Sequence, residues 1–204
     1  LHDGIEESVK VSADTRIIKI LSKVGPQLHT LGVDAPLILP KCLRCRLKCP
    51  GHEKCTEPEI RWMWKVHKKR EPSKRPNKVF TPYTERCVEQ WINQEISPEI
   101  APDHAFGSNR APLSARALYL KRRIPHGKLV EVLPRLSVWQ LGQNMGLRKK
   151  HLLLYKQMAR GPEVRQRFLD QWSEEGLSFI YHRDFRLMVK DSFAFVSLMF
   201  SYAA

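Results

Sequence analysis

Apolar residues recur at three- and four-residue intervals in four separate stretches, each bounded by residues that start or stop helices. Residues 12–24 carry Ile17, Ile18, Leu21 and Val24 at helical spacing, with Ser12 as a cap and Gly25-Pro26 as a stop. Thr84 is placed to cap a second helix that holds Val88, Trp91, Ile92 and Ile96 and ends before Pro98. Pro112 suits the first turn of a third, which runs through Ala115, Leu118, Tyr119 and Arg123 and stops before Pro125. Pro162 opens the last, with Val164, Phe168, Leu169 and Trp172 on one face and Gly176 beyond its end. Elsewhere the pattern is extended. Pro36 and Pro40 bracket Leu37-Ile38-Leu39, and Leu129, Val130 and Val132 favour a short strand over Lys128 to Leu133. The tail from Ser192, with Phe193, Phe195, Val196, Leu198, Met199 and Phe200, is shorter than the roughly 20 apolar residues a bilayer span needs. It reads as a buried terminal strand or helix. The fold class expected is mainly α.

A further segment, Val138 to Gln157, resembles the twenty-residue helix-turn-helix pattern. The small residue required where two helices cross is Gly142, the turn glycine is Gly146, and Leu141, Met145, Leu147, Leu152 and Tyr155 fall at the shared core positions. Arg148, Lys149, Lys150 and His151 suit phosphates or bases at the start of the second helix. Leu153 and Leu154 continue the face that a DNA-reading helix would keep polar, so the reading preferred is a structural hairpin with a basic turn. DNA reading is the runner-up.

Charge changes the picture more than length does. The 204 residues include 35 Lys and Arg against 21 Asp and Glu, a formal charge of +14 that draws polyanions. The basic residues are spread along the chain instead of lining one amphipathic helix, which favours nucleic acid over a membrane surface. One run, Lys65, His67, Lys68, Lys69, Arg70, Lys74, Arg75 and Lys78, is broken by Pro72 and Pro76 and reads as a linker or basic arm. A boundary drawn there divides the chain into an extended N-terminal part, 1–78, and a helical part, 79–204. Fourteen prolines in a chain of 42% hydrophobic content suggest segments that gain order from a partner.

Candidate chemistry lies in the cysteines. Four of the five, Cys42, Cys45, Cys49 and Cys55, are spaced C-x2-C-x3-C-x5-C, and a short loop of that kind supplies the four soft ligands of tetrahedral Zn2+. His52 is a substitute ligand, Pro50-Gly51 provides a turn between the halves, and Arg44, Arg46, Lys48 and Lys54 offset thiolate charge. The same ligands would hold an iron–sulfur cluster, and disulfides would require an oxidising compartment. Cys87 reads as a core thiol. Glu53 is the nearest acid, but neither a zinc-deaminase nor an H-E-x-x-H arrangement surrounds it, so a structural metal is expected.

Tyr181-His182-Arg183-Asp184-Phe185 resembles a kinase catalytic loop, yet Val189 stands where the metal-binding Asn belongs, and His182 and Asp184 read as surface or capping residues. Nucleotide-binding glycine loops, nucleophile elbows and paired carboxylates are absent from the sequence. Trp62 and Trp64 beside the basic run suit stacking on unpaired bases, or else cover the metal knuckle.

In composition and architecture the chain resembles ribosomal proteins. That resemblance implies a non-catalytic RNA-associated component of a large ribonucleoprotein such as the mitochondrial ribosome, with ribosomal RNA and neighbouring proteins as partners and no small-molecule substrate. Arg44, Arg46, Lys48, Lys65, Lys68, Lys69 and Arg70 are the phosphate contacts expected. Leu1 in place of Met fits a mature matrix protein, though a trimmed start looks the same, and nucleus or cytoplasm are the alternatives. Two other readings stay open: a DNA-binding regulator using residues 138–157, and an accessory subunit of a respiratory complex.

Overall fold

A computed structural model describes residues 13–69, 79–107, 110–124 and 126–203. They are mainly helical, as the periodicity requires. Helix α1, Ala13–Val24, passes into a tight turn at Gly25–Gln27 and strand β1, Thr30–Val33. Its expected cap, Ser12, lies outside the described residues. No residue of α1 is buried, and Arg116 Nε donates to Asp14 Oδ1 at 2.6 Å to tie the helix down. Two short elements follow, helix α2 over Lys41–Arg44 and a turn at His52–Lys54, and then helix α3, Pro58–Lys69. Lys65, Lys68 and Lys69 therefore lie on a helix, which corrects the basic arm up to that point. Cations in a last turn oppose the partial negative charge of the exposed carbonyls there. Arg70 and the rest of the run to Lys78 lie outside the described residues.

Helix α4, Cys87–Trp91, widens into five-residue hydrogen bonding over Ile92–Ile96, where Ser97 N–H donates to the Ile92 carbonyl at 3.0 Å. It differs from expectation in two ways. Thr84 sits in the preceding turn, its hydroxyl 3.2 Å from the Thr81 carbonyl, and Arg86 occupies the cap position with its N–H donating to the Glu89 carboxylate. Val88 and Trp91 are exposed while Glu89 and Gln90 are buried. Polar partners explain the inversion. The Arg86 guanidinium reaches Glu89 at 2.6 Å and grips both oxygens of Glu131 at 2.7 and 2.5 Å, and Gln90 Nε2 donates to Glu85 at 2.7 Å. Burial still raises the Glu89 carboxyl above its ordinary range, with Arg86 opposing that shift.

Helix α5, Arg110–Lys121, has Pro112 in its first turn, and strand β2, Lys128–Glu131, follows. β1 and β2 pair in parallel, from Thr30 opposite Lys128 to Val33 opposite Glu131. This joins residues from either side of the break drawn near 78. Glu131 Oε2 also accepts the Leu37 N–H at 3.1 Å, which fixes the proline-bracketed segment against β2.

The main core is C-terminal. Helix α6 spans Pro134–Asn144, α7 Lys149–Leu152, α8 Gly161–Glu174, α9 His182–Lys190 and α10 Ser192–Ala203. The predicted stripe Val164, Phe168, Leu169 and Trp172 is buried, packed with Phe195, Val196 and Met199 of the apolar tail, which is a helix. The tail also covers β1: a Cβ on Gly32 would meet the Phe200 backbone at 3.2 Å, so glycine permits the close approach. The kinase-like residues form the first turn of α9, with His182 exposed.

Two polar groups in this core stand out. Arg165, 3% exposed, has its guanidinium on the carbonyls of Met188, Val189 and Lys190 at 2.9 to 3.1 Å and on that of Tyr155. Tyr155, by contrast, is buried with a hydroxyl that has no hydrogen-bond partner among the described residues, and burial pushes its pKa up to about 12. Between the ordinary value near 10 and about 12 the unfolded chain loses a proton that the folded chain keeps, so stability falls across that window by on the order of 2–3 kcal/mol. Tyr155→Phe is expected to abolish this component of alkaline unfolding, and at pH 8 to be neutral or stabilising by about 1 kcal/mol. Denaturant midpoints at pH 8 and above pH 10 check both. A variant that keeps the wild-type loss above pH 10 would assign it to other groups.

Candidate metal centre and basic surfaces

Short segments, not a large core, hold the cysteine loop in place. Pro40 precedes α2, which carries Cys42, and Gly51 in the expected Pro50-Gly51 turn takes a positive φ of 86°, which glycine adopts without steric cost. Lys41 pairs with Glu57, the residue before α3, at 2.9 Å and Arg44 approaches Glu59 in its first turn at 4.0 Å, fastening the loop to the start of the helix. Underneath, Ile60, Met63 and Phe80 make a three-residue cluster against which Cys42, Cys55, Trp62, Trp64 and Cys87 pack.

All four loop cysteines are unbridged; Cys42, Cys45 and Cys55 are half-buried and Cys49 is exposed. The Cys42 thiol is pushed up first by burial and then by Cys55, Cys49 and Cys45, so the four sulfurs share one neighbourhood in which thiolates repel one another. Four thiols of this kind suit a soft dication, which would relieve that repulsion. Among the described residues, no three His, Cys, Asp or Glu side chains converge closely enough to hold an ion as they stand.

The His52 ring packs edge-on to Trp64 at 4.5 Å and to Phe80 at 5.0 Å, and His67 stacks on Trp64 at 5.5 Å. This aromatic cluster caps the loop. The fifth thiol, Cys87, is raised by burial and then by Glu59 and Glu89, as befits a neutral packing residue.

The predicted basic residues occupy two surfaces. Arg44, Arg46 and Lys48 are exposed on the cysteine loop, and Lys65, Lys68 and Lys69 on α3, where Lys68 Nζ lies 5.6 Å from the Trp64 ring. A cleft of about 550 Å³ lies between α3 and the end of the cysteine loop at His52, Glu53 and Cys55, walled by Trp62 and Trp64 and edged by Arg61, Lys65 and Lys68. Arg148 at the cap of α7 and Lys149 and Lys150 in the helix itself are exposed, with Lys149 Nζ 5.0 Å from the Trp139 ring. Arg61 and Glu57 had no sequence signal beyond their charge. Only folding of α3 against the loop brings them to the site.

No protein family matches the chain, nor does any curated protein or solved structure. Among the described residues no helix is long and apolar enough to cross a membrane.

Proposed function

We propose that this chain is a non-catalytic structural component of a large ribonucleoprotein, the mitochondrial ribosome being the assembly favoured, and that it contacts ribosomal RNA through the cysteine loop and α3. The observation that carries this reading is the cleft beside the loop, where tryptophan walls meet the exposed cations Arg61, Lys65 and Lys68, which outnumber the one carboxylate there, Glu53. Aromatic faces stack on unpaired bases of any identity, and the surrounding cations neutralise the backbone. A chain with +14 formal charge brings that cleft to RNA by long-range attraction.

Within this reading Cys42, Cys45, Cys49 and Cys55 bind one structural Zn2+, with His52 the substitute ligand and an iron–sulfur cluster the alternative. Neighbouring proteins of the assembly are the other partners. The compartment proposed is the matrix, with nucleus or cytoplasm the alternatives; each keeps thiols reduced and available to metal. Immunolocalisation of the endogenous protein decides among them.

Residues 138–157 are proposed as a helix-turn-helix-like structural hairpin. Gly142 abuts the Leu152 side chain, which a Cβ would displace, and Gly146 has a φ of 75°. Leu153 and Leu154 pack against the two flanking apolar clusters. The DNA-regulator alternative rests on this hairpin, and its second helix, α7, covers four residues, about one turn. The respiratory-subunit alternative rests on the apolar tail, whose Phe195, Val196 and Met199 are turned into the core.

Binding of the full chain to structured ribosomal RNA, measured across a salt series, tests the proposal. Lys65→Gln/Lys68→Gln/Lys69→Gln should weaken binding and reduce the slope of log K against log salt by about two. An unchanged slope would remove α3 from the interface, and a strong preference for one duplex DNA sequence would favour the regulator instead.

A further inference from the structure

The hairpin forms a second cavity, of about 530 Å³, against the start of α8. Its apolar lining includes Leu147, Leu154 and Val164, and its polar lining is Arg148, His151, Arg160, Arg167 and Glu163. Glu163, the lone carboxylate there, is taken by Arg167 at 2.7 Å. Among the described residues Arg148 and Arg160 have no carboxylate partner, and both are exposed. Two unneutralised guanidinium groups at an apolar recess make a site for something flat and apolar that carries a phosphate. The volume lies within the range of small-molecule pockets. Guanidinium planes both stack on bases and grip phosphate oxygens in pairs.

We propose that this cavity takes one unpaired nucleotide of bound RNA, swung out of its strand, with the base over the leucine lining and its phosphate on Arg148 and Arg160. The inference rests on the RNA-binding reading above and adds a preference: a base must leave its stack to enter a recess, so single-stranded or looped RNA is held here and a continuous duplex is not. The elements that build the cavity are separate from the tryptophan-walled cleft, so the chain grips RNA at two places.

The test compares binding of the full chain to a fluorescent single-stranded RNA and to a blunt duplex of the same length. Arg148→Gln/Arg160→Gln is set beside Arg122→Gln/Arg186→Gln, an equal charge loss at exposed residues that do not line the cavity. The cavity variant is expected to lose about tenfold for the single strand, and for the duplex no more than the small loss the control pair shows. Circular dichroism confirms that both variants keep wild-type helix content. As an independent readout, photocrosslinks from a 4-thiouridine strand to the wild-type chain should map within residues 146–167. Equal losses in the cavity and control variants, or crosslinks confined to α3 and the cysteine loop, would overturn the cavity assignment and leave the RNA reading standing. Failure of the wild-type chain to bind either RNA would overturn both.

Discussion

Replacing Arg165 by methionine is expected to lower the thermal midpoint of the C-terminal core by about 10 °C, a loss on the order of 3–4 kcal/mol for a chain of this size. The guanidinium is buried and serves four backbone carbonyls, three of them at the end of α9 and its junction with α10. The last carbonyls of a helix have no partner within it, and in a buried junction water cannot supply one. Methionine fills much of the volume and leaves those acceptors empty, so the variant isolates the hydrogen bonds from the packing. Arg165→Lys keeps the charge but presents one ammonium in place of a planar fork, and should recover less than half of the loss. Thermal unfolding followed by helical circular dichroism gives the answer. A methionine variant melting within about 2 °C of wild type would show that the junction is held by Phe195 and its apolar neighbours alone.

Arg165 also illustrates what the sequence could and could not reveal. The stripe Val164, Phe168, Leu169 and Trp172 was legible because one short period decides which face is buried. Arg165 sits inside that stripe as an apparent surface residue, and three of the four carbonyls it serves belong to residues more than twenty positions away. The same limit explains α4. Periodicity assigned Val88 and Trp91 to the core, but Glu89 is buried in their place because Arg86 bridges it to Glu131 on β2, a pairing no local pattern encodes. The cysteine spacing was legible as a tight loop, with Gly51 at its turn and four unbridged thiols along it. Its aromatic cap was only half legible, since Trp64 and His52 are near in sequence while Phe80 arrives from beyond residues 70–78. The basic run ended as a helix up to Lys69 because its buried face is supplied by Ile60 and Met63, upstream of the lysines.

The largest effect expected is that of metal removal, and it should be confined to one part of the chain. Among the described residues the cluster under the cysteine loop holds three buried residues, Ile60, Met63 and Phe80, whereas the C-terminal core holds eleven. An apolar cluster of that size cannot offset the entropy of ordering the loop and α3, so the proposed Zn2+, with an apparent binding free energy of about 10–16 kcal/mol in small zinc modules, would supply most of the stability there. Treating the chain with a strong chelator should therefore raise tryptic cleavage after Arg44, Arg46, Lys48 and Lys54 by more than about tenfold while the melting of the C-terminal helices stays close to wild type. Cys42→Ser/Cys55→Ser should reproduce the chelated pattern, with metal content falling from one per chain towards none. Those two thiols are the informative pair because they pack on Ile60, Met63 and Phe80 and would couple the ion to the hydrophobic cluster. Peptide mapping and elemental analysis read both quantities on the same sample. If the cleavage rate ignores the chelator and the serine variant keeps its metal, the four thiols are not the ligands, and Lys41–Glu57 and the aromatic cap must hold the loop unaided.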